Sequence, residues 1–411
     1  MFDSTVHAAT IARQIRKSDF SSNLWVFTPA DREDAIQEAL RIARNGFANP
    51  SLRQSVLRGK AVYRQSSLPE QLLTRHASEA VKRITRVRQS DRQSIIKSLR
   101  RLWSEGSAFN ALQFDVRSFY ESIDPTWIIS RLRTDPAFSR QSVDIIESFF
   151  EALARRNIPG LPRGIGLSAT LSEYLMRHFD RAMADTDGVR FYRRYVDDIM
   201  IVSSEYVDPL VIQHTARAEL PVGLTFGRAK SRIHQLSKAH VGNPHGVTTT
   251  FNYLGYQFSV SPIIKAQQKW YRDVHVDISP KKVKTIKRRI CLAFLQYKSD
   301  GMYIDLLDRI KLLTSNTWFN DEQTGRTRLS GLRYNYHQID ASSSRALLEL
   351  DRFLVNLLCS AHPGNRLRPA VSNLQRRQLL GLGFSSGFHD NRFFKFDETR
   401  LGQLVRCWSH A

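Results

Sequence analysis

Three aspartates have the residue type and the setting for divalent-metal chemistry. Asp197 and Asp198 are adjacent and lie between the β-rich runs VRFYRR and IMIVSS, whereas Asp115 ends the apolar run ALQFD. Acidic side chains at a tight turn between two strands project together from one edge of a sheet. Three converging carboxylates would supply the hard oxygen ligands that Mg²⁺ prefers. Turn chemistry alone also explains an Asp-Asp pair, so the pair by itself leaves both interpretations open.

The elements that would position these residues form three regions. Residues 1–66 are predicted to be a helical N-terminal region, in which Thr28 opens a helix that ends at Gly46. Residues 67–265 combine helical runs with short strands, among them 111–116, the two runs around Asp197 and 251–260. Residues 266–411 begin with a strand-like segment and then become predominantly helical. The predicted fold class is therefore α+β.

The charge of the chain favours a polyanionic partner. The 411 residues include 61 Lys and Arg against 39 Asp and Glu, a formal net charge of +22. Basic clusters occur at 82–92, 155–163 and 281–289, which indicates a long track for nucleic acid rather than one charged tail. A membrane surface is the weaker alternative, because no transmembrane run or polybasic anchor is present. No secretory signal is expected, and three widely spaced cysteines favour free thiols in the cytoplasm over zinc or disulfides.

Four segments, taken together, resemble the conserved boxes of reverse transcriptases. They occur in the family's order: FDVRSFYESI at 114–123, LPRGIGLSATLSEYLM at 161–176, YVDD at 195–198 and FNYLGYQFS at 251–259. The resemblance implies a right-hand polymerase fold, with fingers and palm over 67–265 and a helical thumb within 266–411. It also implies an RNA-directed or non-templated DNA polymerase that uses dNTPs and two Mg²⁺ ions, or Mn²⁺ in their place.

The resemblance assigns roles at the centre of the site. Asp115, Asp197 and Asp198 would be the catalytic metal ligands, and the Val116 carbonyl would assist them. Tyr120 falls where the family places its sugar gate, a ring that excludes a ribose 2′-hydroxyl. Core packing beside Phe119 is the alternative for this tyrosine.

Further residues would contact the nucleotide. Arg163 and Gly164 lie in the Leu-Pro-x-Gly box, where the arginine would bind the sugar, the phosphates or the template. Lys230 resembles the lysine near the pyrophosphate, with a solvated surface lysine as the alternative. Arg92 is the preferred ligand for the triphosphate, since a triphosphate requires cationic partners. Arg86 and Arg88 compete with it.

The last box and the segment beyond it would hold the primer and the duplex. The primer-grip residues are Tyr253, Leu254, Gly255 and Tyr256, whose aromatic rings would position the primer terminus or simply pack the sheet. The basic face of 281–297 would follow a duplex backbone.

The form of the second box, with Leu-Ser-Ala-Thr-Leu-Ser-Glu, resembles bacterial antiphage reverse transcriptases of the defence-associated and abortive-infection groups, including the defence-associated type 3 subgroup. The expected partners are an RNA template, a DNA product, a dedicated non-coding RNA, and a second reverse transcriptase or another copy of this chain. Two alternatives stay open. One is a retron- or intron-type enzyme with a dedicated RNA template, and the other is a non-catalytic RNA-binding scaffold on the same fold.

Overall fold

The structure is a computed structural model that describes residues 4–22, 28–57, 59–227, 231–236, 248–266, 269–321, 326–362 and 367–408. The described chain divides into two compact units. The first contains residues 4–91 and 108–236, and the second contains residues 92–107, 248–321 and 326–408. Each unit is therefore discontinuous in sequence.

The helices and strands alternate along the chain. The helices are α1 Ala8–Ala12, α2 Lys17–Ser22, α3 Pro29–Asn45, α4 Leu68–Thr85, α5 Arg92–Trp103, α6 Phe119–Ser122, α7 Pro125–Thr134, α8 Arg140–Ala154, α9 Gly166–Asp185, α10 Pro209–Ala218, α11 Pro280–Asp300, α12 Tyr303–Thr314, α13 Leu332–Tyr336, α14 Arg345–Cys359, α15 Asn373–Leu380, α16 Phe384–His389 and α17 Glu398–Val405. The strands are β1 Leu52–Leu57, β2 Lys60–Gln65, β3 Phe109–Asp115, β4 Val189–Tyr195, β5 Asp198–Ser204, β6 Arg232–Leu236, β7 Thr249–Tyr253, β8 Tyr256–Val260, β9 Ile264–Ala266, β10 Lys269–Tyr271, β11 Val274–Ile278, β12 Asn316–Asp321 and β13 Arg326–Gly331. Short 3₁₀ helices cover Ala341–Ser343 and Arg406–Trp408.

The first unit is built on a four-stranded antiparallel sheet in the order β4-β5-β3-β6. Strand β3 lies inside this sheet and six of its seven residues are buried, because its run FNALQF carries almost no charge. Helix α9 packs on β4 and on α4, and α4 also contacts α3 and α8. The predicted strands around Asp115 and Asp197 are confirmed.

The N-terminal region is not wholly helical as predicted for 1–66. Helices α1 to α3 are present, but residues 52–65 form the antiparallel hairpin β1–β2. The β-branched and aromatic residues Val56, Val62 and Tyr63 favour strands. Gly59 adopts φ +74° in the connection, a conformation that glycine reaches without steric cost.

The second unit contains a three-stranded antiparallel sheet in the order β11-β8-β7 and the helices that follow it. Trp103 of α5 is fully buried against Phe251 and Phe258, with ring centroids 4.2 and 4.7 Å away. The region 266–411 is mostly helical, as predicted, but it also contains the hairpin β12–β13.

These elements confirm the α+β fold class with antiparallel sheets. The three cysteines are free thiols. Within the described ranges, no helix combines the length and apolar character needed to cross a bilayer.

Candidate active site

Two of the three aspartates meet at one edge of the four-stranded sheet. Asp115 is the last residue of β3 and Asp198 is the first residue of β5, and the two are direct partners in the antiparallel register. Directly opposed residues of such a pair have Cβ atoms about 4.5–5.5 Å apart. Asp115 is buried, whereas Asp198 is partly exposed. The fold therefore places two carboxylates side by side.

The third aspartate occupies the turn between β4 and β5. Tyr195 pairs with Asp198, so Val196 and Asp197 form a two-residue connection. Val196 adopts φ +58°, which is unusual for a β-branched residue, and such positions cluster at functional sites. The Val116 backbone N–H donates to the Asp197 carbonyl at 3.0 Å. This bond ties the turn to the end of β3.

A segment that sequence reasoning left unassigned holds Asp115 from its other side. The Gly227 N–H donates to the Asp115 carbonyl at 2.8 Å, and Val116 forms an isolated antiparallel bridge with Phe226. Phe226 also stacks on Phe114, with ring centroids 4.8 Å apart. The aromatic residue within LTFGR was the available sequence signal for this contact.

The donor set fits a divalent ion by its chemistry. Asp115, Asp197 and Asp198 supply carboxylate oxygens, which are the preferred ligands of Mg²⁺. Among the residues that the structure describes, no three His, Cys, Asp or Glu side chains form a preformed metal centre. Asp115, Asp197 and Asp198 therefore share one edge of the sheet, but their side chains are not arranged as a preformed metal centre.

Tyr120 lies in the short helix α6, five residues after Asp115. Its ring contacts Phe119 edge-on at 5.3 Å, and the guanidinium of Arg163 lies 5.0 Å from the ring centroid. Burial raises the pKa of the Tyr120 phenol. Tyr120 is half-buried, so its ring packs against its neighbours and is also partly accessible to solvent.

Arg163 is engaged by an acid that sequence reasoning did not select. Its Nε and Nη2 donate to the two carboxylate oxygens of Glu121 at 2.6 and 3.0 Å. This hydrogen bond lowers the pKa of Glu121. A phosphate that binds Arg163 must compete with this carboxylate.

The Leu-Pro-Arg-Gly turn is attached to the β1–β2 hairpin. The Tyr63 N–H donates to the Arg163 carbonyl at 2.7 Å. Gly164 has φ +92°, and a Cβ there would lie 2.5 Å from the Tyr63 carbonyl oxygen, so only glycine fits. Helix α9 begins at Gly166, and Ser168 is buried within its first turn.

The candidate triphosphate ligands belong to two different units. Arg92 begins α5 in the second unit, where its Nε donates to the Leu254 carbonyl at 2.8 Å. Arg86 and Arg88 are exposed residues of the first unit, just after α4. Lys230 lies outside the described residues.

The primer-grip segment is a tight hairpin of the second unit. Leu254 and Gly255 join β7 to β8 with φ values of +47° and +84°. Tyr253 and Tyr256 are almost fully buried. The Tyr256 hydroxyl donates to Gln93 at 2.8 Å. Both tyrosine rings are therefore packed within the sheet, and the assignment of this segment as a primer grip stays a prediction.

Sequence reasoning missed a buried charge cluster beside the turn. Arg194 of β4 pairs with Glu173 and Asp180 of α9, and the Tyr192 hydroxyl donates to Asp180 at 2.5 Å. Two signals in the sequence could have indicated it. Glu173 and Asp180 are seven residues apart and so share one helix face, and Arg194 occupies an inward position of a strand.

Residues 58–258 match the family model described as reverse transcriptase (RNA-dependent DNA polymerase). The matched range includes the four boxes apart from the last residue of the fourth, and it covers all three aspartates. This chain therefore contains a region, slightly less than half of its length, that matches the reverse-transcriptase domain. Reverse transcriptases generally use divalent metal ions.

Two telomerase structures match this chain at low TM-scores. One is apo telomerase from Candida tropicalis truncated from its C-terminal domain, at 11% identity and a TM-score of 0.35, covering 57% of this chain and 65% of that one. The other is telomerase from Candida albicans in complex with a TWJ fragment of telomeric RNA, at 11% identity and a TM-score of 0.36, covering 81% and 66%. The matched part thus spans slightly less than two thirds of each telomerase chain. Among curated proteins, none matches this sequence.

Proposed function

We propose that this protein polymerises DNA by two-metal nucleotidyl transfer, either copying RNA or without a template, in bacterial defence against phage. The observation that carries the polymerase part is the shared sheet edge of Asp115 and Asp198, with Asp197 in the adjoining turn. The reverse-transcriptase match over 58–258 supports it independently.

In this proposal the three carboxylates hold the metal ions and the surrounding residues hold the nucleotide. When bound, the ions would activate the primer 3′-hydroxyl and neutralise charge on the departing pyrophosphate. The 3′-oxygen forms a bond to the α-phosphorus while the bond from that phosphorus to the pyrophosphate oxygen breaks. Tyr120 fills the space that a ribose 2′-hydroxyl would need.

The rest of the nucleotide site consists of the backbone at Gly164 and the guanidinium of Arg163. The Gly164 turn, fixed by the Tyr63–Arg163 hydrogen bond, supplies the backbone against which the nucleotide lies. Arg163 contacts the phosphates once Glu121 releases it. Both residues belong to the same unit as the three aspartates.

The polymerase proposal is tested by incorporation of labelled dNTPs with Mg²⁺. We expect polymer from the wild type and none from Asp197→Asn or Asp198→Asn. Asp187→Asn, the same substitution in an exposed turn, is the matched control and should retain activity. Equal product from the two site variants would refute the metal assignment. Absence of product from the wild type on any template would favour a non-catalytic scaffold.

The template and the biological role need separate experiments. Sequencing the product together with co-purified RNA would distinguish non-templated synthesis from copying of a dedicated RNA, as a retron- or intron-type enzyme does. The defence role is supported by the form of the 161–176 box. We expect cells that express the wild type, but not Asp197→Asn, to reduce plaque formation by at least one phage of a panel. Equal plaque formation in both strains would contradict this role.

A further inference from the structure

A buried arginine lies under the turn that carries Asp197. Arg194 is only 4% exposed. Its Nε and Nη2 each donate to Asp180 at 2.8 Å, and its Nη1 and Nη2 donate to Glu173 at 3.2 and 2.7 Å. Both acids belong to α9, so the arginine connects this helix to the C-terminal end of strand β4. A buried guanidinium paired with two carboxylates has a tightly defined position.

The same guanidinium also reaches the turn. Its Nη1 donates to the Val196 carbonyl at 3.0 Å. Val196 is the residue with φ +58°, a conformation that few β-branched residues adopt. The next carbonyl, that of Asp197, accepts from the Val116 N–H. The backbone on both sides of the Asp197 α-carbon is therefore held by hydrogen bonds, one from the Arg194 side chain and one from Val116, the residue that follows β3.

We propose that Arg194 is a positioning residue that keeps Val196 in its left-handed conformation and thereby orients Asp197 for divalent-metal binding. This inference rests on the proposed function, since it concerns the same metal site. Arg194 does not touch the reacting atoms in this proposal. Glu173 and Asp180 hold the guanidinium in place, and the guanidinium holds the Val196 carbonyl. The conformation of Val196 then sets the orientation of Asp197.

A second, partly buried arginine in the same unit provides a matched control. Arg75 of α4 donates to the two carboxylate oxygens of Asp19 at 2.7 and 2.8 Å and to the Gln14 carbonyl at 3.1 Å. Its surroundings thus repeat the pattern of a guanidinium that binds both a carboxylate and a backbone carbonyl. None of these partners belongs to the turn of Val196 and Asp197.

The experiment measures Mn²⁺ binding to the full chain by electron paramagnetic resonance, without substrate. Lysine cannot reach two acids and a carbonyl at once, because it is a single point charge. We expect Arg194→Lys to weaken Mn²⁺ binding by about 10–100-fold, the usual effect of removing a group that orients a metal ligand. Arg75→Lys should lower thermal stability and leave Mn²⁺ binding unchanged. Unchanged binding by Arg194→Lys would overturn the inference.

A second comparison separates positioning from general packing. Glycine adopts positive φ readily, so Val196→Gly should remove most of the need for Arg194. We expect Arg194→Lys to weaken Mn²⁺ binding much less in the Val196→Gly background than in the wild type. An equal weakening in both backgrounds would show that Arg194 only supports packing and would overturn the inference.

Two further outcomes are also informative. If Arg194→Lys unfolds, Glu173→Gln takes its place, because it removes one charge while keeping the side-chain shape, and the same weakening is expected. Failure of Glu173→Gln to weaken binding would then overturn the inference. Absence of Mn²⁺ binding by the folded wild type would refute the proposed metal site itself, whereas wild-type binding that is insensitive to these variants would refute only the role of Arg194.

Discussion

Asp115 and Asp198 are the last cross-strand pair of β3 and β5, so two like charges stand directly opposite each other at the end of a sheet. Like charges in this position destabilise a strand pair by roughly 0.2–1 kcal/mol. Asp115→Asn should therefore abolish nucleotide incorporation while leaving the melting temperature equal to or higher than that of the wild type. Incorporation of labelled dNTPs and thermal unfolding check the two parts. Retained incorporation would contradict the proposed metal role of Asp115.

Tyr120 tests the sugar gate. Removing its ring in Tyr120→Ala should raise the use of rNTPs relative to dNTPs by about 10–100-fold, the range by which a pocket discriminates one small group. Tyr120→Phe keeps the ring and its edge-on contact with Phe119, so it should keep the discrimination. Competition between labelled dNTPs and rNTPs provides the measurement. An unchanged ratio in Tyr120→Ala would assign the ring to packing alone.

The ion pair between Glu121 and Arg163 should affect how tightly the protein binds dNTPs. Glu121→Gln weakens the hold on the guanidinium, so the KM for dNTPs should fall, whereas Arg163→Gln should raise it. Because the pair is partly exposed, its loss should change the free energy of unfolding by at most about 1 kcal/mol. Steady-state incorporation across a range of dNTP concentrations measures the KM of each variant. If neither variant changed KM, Arg163 would not be a nucleotide ligand.

Gly164 and Gly166 form a matched pair two residues apart. Gly164→Ala introduces a Cβ against the Tyr63 carbonyl at positive φ, and it should destabilise the protein by more than about 1 kcal/mol. Gly166 begins α9 with open space around its α-carbon, so Gly166→Ala should be neutral or stabilising. Chemical denaturation of both variants measures the difference. Equal changes in the free energy of unfolding would mean that the attachment of β2 to this turn contributes little to stability.

Glu70 predicts a pH dependence of stability. Its buried carboxylate accepts from the Ser51 N–H at 2.9 Å, yet burial raises its pKa above the usual value. A raised carboxyl pKa means that the folded state binds the proton more tightly, so stability falls as pH rises from the unfolded pKa through the folded one. Glu70→Gln should remove this component. The difference in free energy of unfolding between wild type and variant should therefore change as the pH rises from about 4.3, the usual glutamate pKa, upward. A difference that stayed constant over this range would contradict the shift.

The sequence was most informative where chemistry and local structure coincide. Asp115 ends an apolar strand and Asp197 lies in a two-residue turn, and both positions could be read from residues close by in the chain. The placement of Arg92 could not be read in this way. Its basic character suggested a phosphate ligand, but the side chain donates to Leu254 and lies over the Tyr256 ring at 5.0 Å. Sequence alone does not specify which distant carbonyl an arginine meets.

The same limit explains the contacts that were missed. Glu121 and Arg163 belong to separate boxes, and Arg194 meets acids from the preceding helix. The Arg194 pairs require α9 to pack against β4, and the Glu121–Arg163 pair joins residues 42 positions apart in the sequence. The hairpin β1–β2 was missed for a different reason, since β1 is mostly exposed and half of the residues in each strand are polar.

The burial of Trp103 has a consequence for the order in which the chain folds. Helix α5 leaves the ribosome well before β7 and β8, yet Phe251 and Phe258 of these strands form the wall against which the indole packs. A nascent chain that has completed the sheet of Asp115 and Asp198 therefore still exposes the apolar face of α5. We expect fragments that end before residue 248 to bind chaperones or aggregate unless Trp103 is replaced by a polar residue, which pull-down and light scattering of such fragments would measure.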